Sequence, residues 1–532
     1  MDRSNKFNIL GCVHVYKEMP MIFKGKYALL TDDSGRLSFK ENYGVLVRGS
    51  KIAETGPFPD LIRAHPEEDV KGDGTQLLMP GLIDSHTHGA GLSYVQRGVE
   101  LDYLENALLK FAVAFQLKPE TTAAMNAVRH IRNGVTTLHH NDSSMPLDPH
   151  MEAVCKAKIR GYEQTGIRLG FSPGIRNKNI LAYDDEGFLK TLPADLQQEA
   201  YDRVFFDREK AADLFMDGFE QVYADCNKGR TRIFFGPMWT QGCTDSFLLR
   251  VKQRADELGK IPIHLHTLQT PVQKAFGLRT YGKSLVGHLD DLGLVDSNLV
   301  LGHAVYLSAE DIALMAEKDA SVTHHASCNL IMRDGIAPVY HMLKAGMNVA
   351  MGMDEKSIND DEDGFMEMRM IYFLHRHADI SLTGCPALSP YDILKMATLN
   401  GARPAGFAGE IGSLKKGMEA DLILVGLKEI LEDPCMLPGF DMGEALIRRG
   451  LGRFVDTVVI GGDIVMEDRE IRTIDTEALY QEVREEAACG RTGAQLKNEA
   501  FLDRIRPYYQ SWYNSWLKDL KLDPYYIMNS RI

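Results

Sequence analysis

Cysteine is sparse in this chain, with eight in 532 residues and no pair spaced Cys-x-x-Cys. That usage speaks against a disulfide framework and against a zinc site built from thiolates, and it fits a reducing compartment. The eight are expected as core or surface thiols. Long apolar runs are missing as well. No stretch approaches the roughly 18 uninterrupted apolar residues of a membrane-spanning helix, and the opening MDRSNKFNIL lacks the apolar centre of a secretion signal. The expectation is a soluble, cytoplasmic protein with no membrane partner. An excess of positive charge is absent too. The formal charge of −14 repels nucleic acid and anionic lipid, which leaves a small molecule as the default partner. There is no internal repeat and no low-complexity segment.

A chain of this length with 44% hydrophobic residues exceeds one ordinary core and predicts a large barrel-type unit with smaller ones beside it. Residues 1–78 read as short strands, GVLVRGSKIAETG forming two alternating runs around a glycine as a hairpin does. Residues 406–473 repeat that style in GEIGSLKKGMEADLILVG and FVDTVVIGGDIVMED, with Gly-Gly at the second turn. The two β-rich ends are expected to join in one flanking β-sandwich. Between them, over residues 79–405, apolar strand-like runs alternate with longer helical patterns, which predicts a (β/α)8 TIM-like barrel of α/β class with its chemistry at the strand ends. Residues 474–532 form a charged helical extension. Trp512 and Trp516 stand at i and i+4 there, an aromatic face that fits docking on its own domain or on a second subunit better than ligand binding.

The segment PGLIDSHTHGAG places His86 and His88 after a buried-strand pattern. Residues two apart on a strand face one side, so both imidazoles converge on one point. Alone, the pair fits either a metal or chance. Other strand ends add His264 and His266 in IPIHLHTLQT, His303 in LVLGHAV and Asp354 in NVAMGMDEKS. Several strands ending this way are hard to attribute to packing, and a nitrogen-rich set completed by a carboxylate suits a first-row divalent ion.

In order and spacing, LLMPGLIDSHTH, NGVTTLHH, IHLHTLQT, VLGHAVYLS, HHASCNLIMRDGIAPV, GMNVAMGMDEKSIND and GSLKKGMEADLILV resemble the amidohydrolase superfamily. The resemblance is to the branch of S-adenosylhomocysteine and guanine deaminases and atrazine-type chlorohydrolases, and it spans residues 45 to 470. It implies a barrel with one divalent ion, zinc first and Fe2+ or another first-row ion as alternatives, held by His86, His88, His266 and Asp354. It further implies that Asp354 accepts the proton of the activated water and that His303 polarises the reacting group. His264 reads as support or core beside the ligand His266. No lysine stands at a matching strand end to bridge a second ion, so one metal is expected. The implied reaction is hydrolytic deamination of a small nitrogen heterocycle, in a homodimer or larger homo-oligomer.

The sequence departs from that branch at Gln269, where the deaminases carry a glutamate that protonates the leaving amine. An amide cannot deliver a proton. Either Glu355 or His303 supplies it, or the leaving group needs none, as with chloride or sulfide displacement or the opening of an amide, urea or thiocarbamate. His139, His140 and Asp142 crowd another strand end, and His140 is a substrate-contact candidate. Asn329 keeps the family residue, whereas His325 and Ala326 replace an asparagine and a proline, so His325 and Asn329 are further candidates. Arg176 fits either an anionic substrate group or a structural ion pair. A non-catalytic scaffold is the reading of another class, and the intact ligand set weighs against it.

Overall fold

The computed structural model describes residues 20–355, 358–376, 387–518 and 520. Residues 1–19 of the expected N-terminal β unit and the end of the helical extension lie outside the described residues. Strands β1 (Met21–Thr31), β2 (Leu37–Arg48) and β3 (Lys51–Pro57) pair antiparallel in sequence order. The β2–β3 turn is the hairpin expected from GVLVRGSKIAETG, with Arg48 opposite Lys51 and Gly49 at φ 56°. Strand β4 (Asp69–Lys71) pairs with the start of β1 and β5 (Gln76–Pro80) with its middle, both parallel.

Eight parallel strands follow in two sheets of four. The first holds β6 (Leu82–Thr87), β7 (Val135–Asn141), β8 (Arg168–Ser172) and β9 (Thr231–Ile233), and the second β10 (Ile263–Thr267), β11 (Leu299–His303), β12 (Ser321–His324) and β13 (Asn348–Met351). Their burial is nearly continuous, as parallel strands covered by helices on one face and core on the other require. Backbone bonds tie the sheets together at both edges. His264 N donates to the Phe235 carbonyl at 2.8 Å, His266 N to that of Met238 at 3.1 Å, and Asp354 N to that of His86 at 2.9 Å. These last two bonds involve three of the four expected metal ligands.

Strands β14 (Leu422–Gly426), β15 (Val455–Ile460), β16 (Asp463–Glu467) and β17 (Glu470–Ile471) return to the sheet of β1–β5, β14 pairing antiparallel with β5. One nine-stranded sheet thus joins both β-rich stretches. Gly461 and Gly462, both at positive φ, make the two-residue turn between β15 and β16, the conformation that favours glycine at both central positions. Among the described residues no helix is long and apolar enough to cross a membrane.

A buried ion pair links the parallel strands to this sheet. Arg168, 2% exposed at the start of β8, donates to both carboxylate oxygens of Asp421 at 2.6 and 2.9 Å and to Glu419 at 3.1 Å. Removing one partner of such a pair strands the other charge, which costs about 3–5 kcal/mol. Arg168→Met is expected to lower the unfolding free energy by about that amount. Urea denaturation checks it, and a loss within the scatter of surface substitutions would deny the pair its structural part.

Candidate active site

His86 lies on β6, His88 directly follows it, His264 and His266 lie on β10, His303 ends β11, and Asp354 stands three residues past β13. Each of the three expected histidine ligands has Nδ1 engaged behind it. His86 Nδ1 meets His264 Nε2 at 2.8 Å, His88 Nδ1 meets the Asn141 carbonyl at 2.8 Å, and His266 Nδ1 meets the Met238 carbonyl at 2.7 Å. A carbonyl can only accept, so His88 and His266 carry their protons on Nδ1 and present bare Nε2 lone pairs. His86 does the same when it donates to His264. Burial first, then neighbouring imidazoles, holds His86 and His266 well below the ordinary histidine range, which keeps both rings neutral.

The free nitrogens converge. His88 Nε2 and His266 Nε2 are 3.3 Å apart, and Asp354 Oδ1 is 3.3 Å from His88 Nε2 and 3.6 Å from His86 Nε2. Two acceptor nitrogens at that separation have no hydrogen to share, and buried His86 Nε2 has no hydrogen-bond partner. A tetrahedral ion at about 2.0–2.1 Å from each ligand sets its ligand atoms roughly 3.3–3.4 Å apart, so the residues fit such an ion. Asp354 Oδ2 accepts from Cys328 Sγ at 2.8 Å. His303 Nδ1 meets Asn329 Oδ1 at 2.9 Å, and its Nε2 lies 3.8 Å from Asp354 Oδ2. Leu268, His303, Ala304, Asp354 and Glu355 all have positive φ, from 51° to 69°. Non-glycine residues rarely adopt this conformation, and its concentration at one rim matches the strain common at functional sites.

A cavity of about 870 Å³ opens over this cluster, lined by His88, His266, Gln269, His303, Asp354, Glu355 and Arg176 among others. His140, His325 and Asn329 do not line it. Asn329 stands behind His303. His325 stacks on His86 with ring centroids 4.4 Å apart and bonds Thr323 Oγ1 at 2.9 Å. His140 bonds the Tyr162 hydroxyl at 2.7 Å behind Gly89, where a Cβ would fall 2.3 Å from the His140 ring. Gln269 Nε2 donates to Asp334 Oδ2 at 2.9 Å, an amide orientation set by that carboxylate. Glu355 accepts from the Ala90 N–H through Oε1, while its buried Oε2 has no hydrogen-bond partner.

Residues 77–465 match the amidohydrolase family. The chain belongs to that family. A 5-methylthioadenosine/S-adenosylhomocysteine deaminase of Syntrophomonas wolfei subsp. wolfei is 32% identical over 463 residues, covering 85% of this chain and 96% of the relative. The crystal structure of an adenosine deaminase from Xanthomonas campestris with bound zinc superposes at a TM-score of 0.71 with 25% identity, over 92% of this chain and 99% of that one. Atrazine chlorohydrolase from Arthrobacter aurescens TC1, complexed with zinc, superposes at 0.72 with 20% identity, over 88% and 99%, a likeness of fold alone. This amidohydrolase is a hydrolase with a TIM-like barrel fold of mixed α/β content.

Three cavity features of the amidohydrolase escaped the sequence reading. Lys158, on helix Met151–Thr165, reaches Asp142 Oδ1 at 2.5 Å, and both line the cavity. Its only sequence signal was a lysine within an amphipathic helix, which ordinarily means a solvated face. Trp239 lies 5.1 Å under the Arg176 guanidinium at the cavity wall. Phe501 and Leu502 of the C-terminal helix also line it.

Glu362 carries a pH dependence. Its carboxyl, ordinarily near 4.5, is pushed up to about 8, first by burial, with Asp84 and Glu355 adding and His130 opposing. Between those values the folded amidohydrolase holds a proton that the unfolded chain has released. Stability therefore falls as pH rises through that window and stays low above it. Glu362→Gln is expected to remove a loss on the order of a few kcal/mol between pH 5 and pH 9. Denaturation midpoints at the two pH values measure it, and an equal loss in wild type and variant would assign the dependence to other groups.

Proposed function

We propose that the chain catalyses hydrolytic deamination of a small nitrogen heterocycle, using one divalent ion held by His86, His88, His266 and Asp354. The carrying observation is the convergence of bare histidine nitrogens on Asp354 Oδ1 beside a cavity that also exposes Glu355, His303 and Gln269. Zinc is the first candidate, consistent with the zinc of the similar adenosine deaminase, and Fe2+ or another first-row ion suits the same donors. A divalent ion held there would lower the pKa of water toward about 7. Asp354 accepts the proton of the attacking water. The water oxygen bonds to the amine-bearing ring carbon, and His303 polarises that centre. Glu355 delivers a proton to the departing nitrogen, the carbon–nitrogen bond breaks, ammonia leaves, the remaining hydroxyl proton passes to the ring nitrogen to give the ring carbonyl, and the proton taken by Asp354 restores Glu355. Gln269 and Arg176 contact the ring or its substituents, while Asn329, His325 and His140 position the groups in front of them.

A second reading has one observation in its favour. Gln269 Nε2 donates to Asp334 Oδ2, and an amide cannot deliver a proton to a leaving group at that point of the wall. A leaving group that needs no proton, such as chloride or sulfide, suits that arrangement. Zinc-loaded protein given matched amino- and chloro-substituted purines and azines separates the two. Ammonia with about one metal per chain supports deamination, whereas chloride without ammonia supports displacement.

We further read the eight parallel strands as a closed (β/α)8 barrel over residues 79–405, on the support of backbone bonds at both sheet edges. On this reading the described residues of 1–78 and 406–473 build the flanking β-sandwich, and those of 474–532 the helical extension. A cytoplasmic homodimer or larger homo-oligomer completes the proposal.

A further inference from the structure

The cavity lining combines two kinds of groups, His88, His266, His303, Asp354 and Glu355 on the one hand and the apolar Leu104, Leu108, Phe111, Val204, Phe501 and Leu502 on the other. Phe501 and Leu502 come from helix Gly493–Leu517, which lies beyond the family match ending at residue 465. That helix is fixed in place. Tyr509, Tyr513 and Trp516 are buried, Tyr183 N donates to the Tyr513 hydroxyl at 2.9 Å, and Gln495 Nε2 donates to the Ala114 carbonyl at 2.8 Å. Phe501 and Leu502 are 3% and 5% exposed. Arg203, which also lines the cavity, lies 4.1 Å over the Phe501 ring and is satisfied by Asn498 at 2.8 Å and Glu199 at 3.2 Å, so it needs no charged ligand.

We propose that the C-terminal helix is a specificity wall, with Phe501 and Leu502 selecting substrates that carry a bulky apolar group remote from the reacting carbon. The inference rests on the reading of the cavity as a heterocycle hydrolase site. A cavity of about 870 Å³ leaves room for such a group in addition to a heterocycle seated at the histidines. The residues at issue act on binding of that group and leave the bond-breaking step to the histidines, Asp354 and Glu355.

The test uses the full-length, zinc-loaded chain and two aminopurines, one with a benzyl-terminated arm and one with a hydroxyl-terminated arm of equal length. Wild type is expected to favour the benzyl compound by about tenfold or more in kcat/KM. Phe501→Ala and Leu502→Ala are each expected to bring that ratio toward one through KM. No preference in wild type, or a preference intact in both variants, overturns the wall. If Phe501→Ala is inactive on both compounds because it fails to fold, Phe501→Leu and Leu502→Ala decide the ratio. If wild type turns over neither compound, the deamination reading fails, and calorimetric affinities of the same compounds judge the wall by the same ratio.

Discussion

Asp354→Asn is expected to lower turnover by about 10²–10⁴-fold while leaving the chain folded. The substitution keeps the size and plane of the side chain. It removes the negative charge beside two imidazole nitrogens and the group able to accept a proton from water. It also disturbs a third contact, because Oδ2 accepts from Cys328 Sγ, and an amide nitrogen turned that way would face the thiol as donor to donor. The backbone bond from Asp354 N to His86 is independent of the side chain and should persist. Turnover at saturating zinc, read with metal content per chain, separates the two losses. A slow variant with full metal content has lost the base. A variant whose rate returns with excess zinc has lost mainly affinity. A variant at the wild-type rate would remove Asp354 from the chemistry altogether.

How much of this site the sequence could disclose follows from how local each signal is. Strand parity alone placed His86 and His88 toward one point, and the Gly-Gly pair located the β15–β16 turn. Parity could not separate His264 from His266, because both face the same side of β10. The separation is one of depth, since His264 Nε2 sits behind His86 Nδ1 while the His266 Nε2 faces that of His88. That ordering depends on the neighbouring strand and is invisible within a five-residue window. The same limit applies to Gln269, whose departure from its relatives was plain, although the Asp334 carboxylate that orients its amide lies 65 residues away. Phe501 and Leu502 fall in a stretch legible only as a charged helical extension. Their place on the cavity wall depends on how a terminal helix crosses the whole chain.

Glu355→Gln is the second substitution with a large expected effect, a fall of about 10²–10⁴-fold in kcat on an amino-substituted ring. Its carboxylate follows Asp354 on the cavity wall, both residues in the left-handed conformation that turns the chain there. The Ala90 N–H engages one oxygen and leaves Oε2 for a proton. At Gln269 the wall offers only an amide, so a departing amine has two proton sources nearby, Glu355 and His303. The leaving group distinguishes an acid from a residue that merely shapes the wall. Loss of an acid slows amine departure and spares a chloro-substituted ring, whose leaving group departs as an anion. Equal losses on both would make Glu355 a positioning residue, because misplacement of the ring slows every leaving group alike. If neither rate falls, the proton must come from His303, and His303→Gln should then show the amine-selective loss that Glu355→Gln does not.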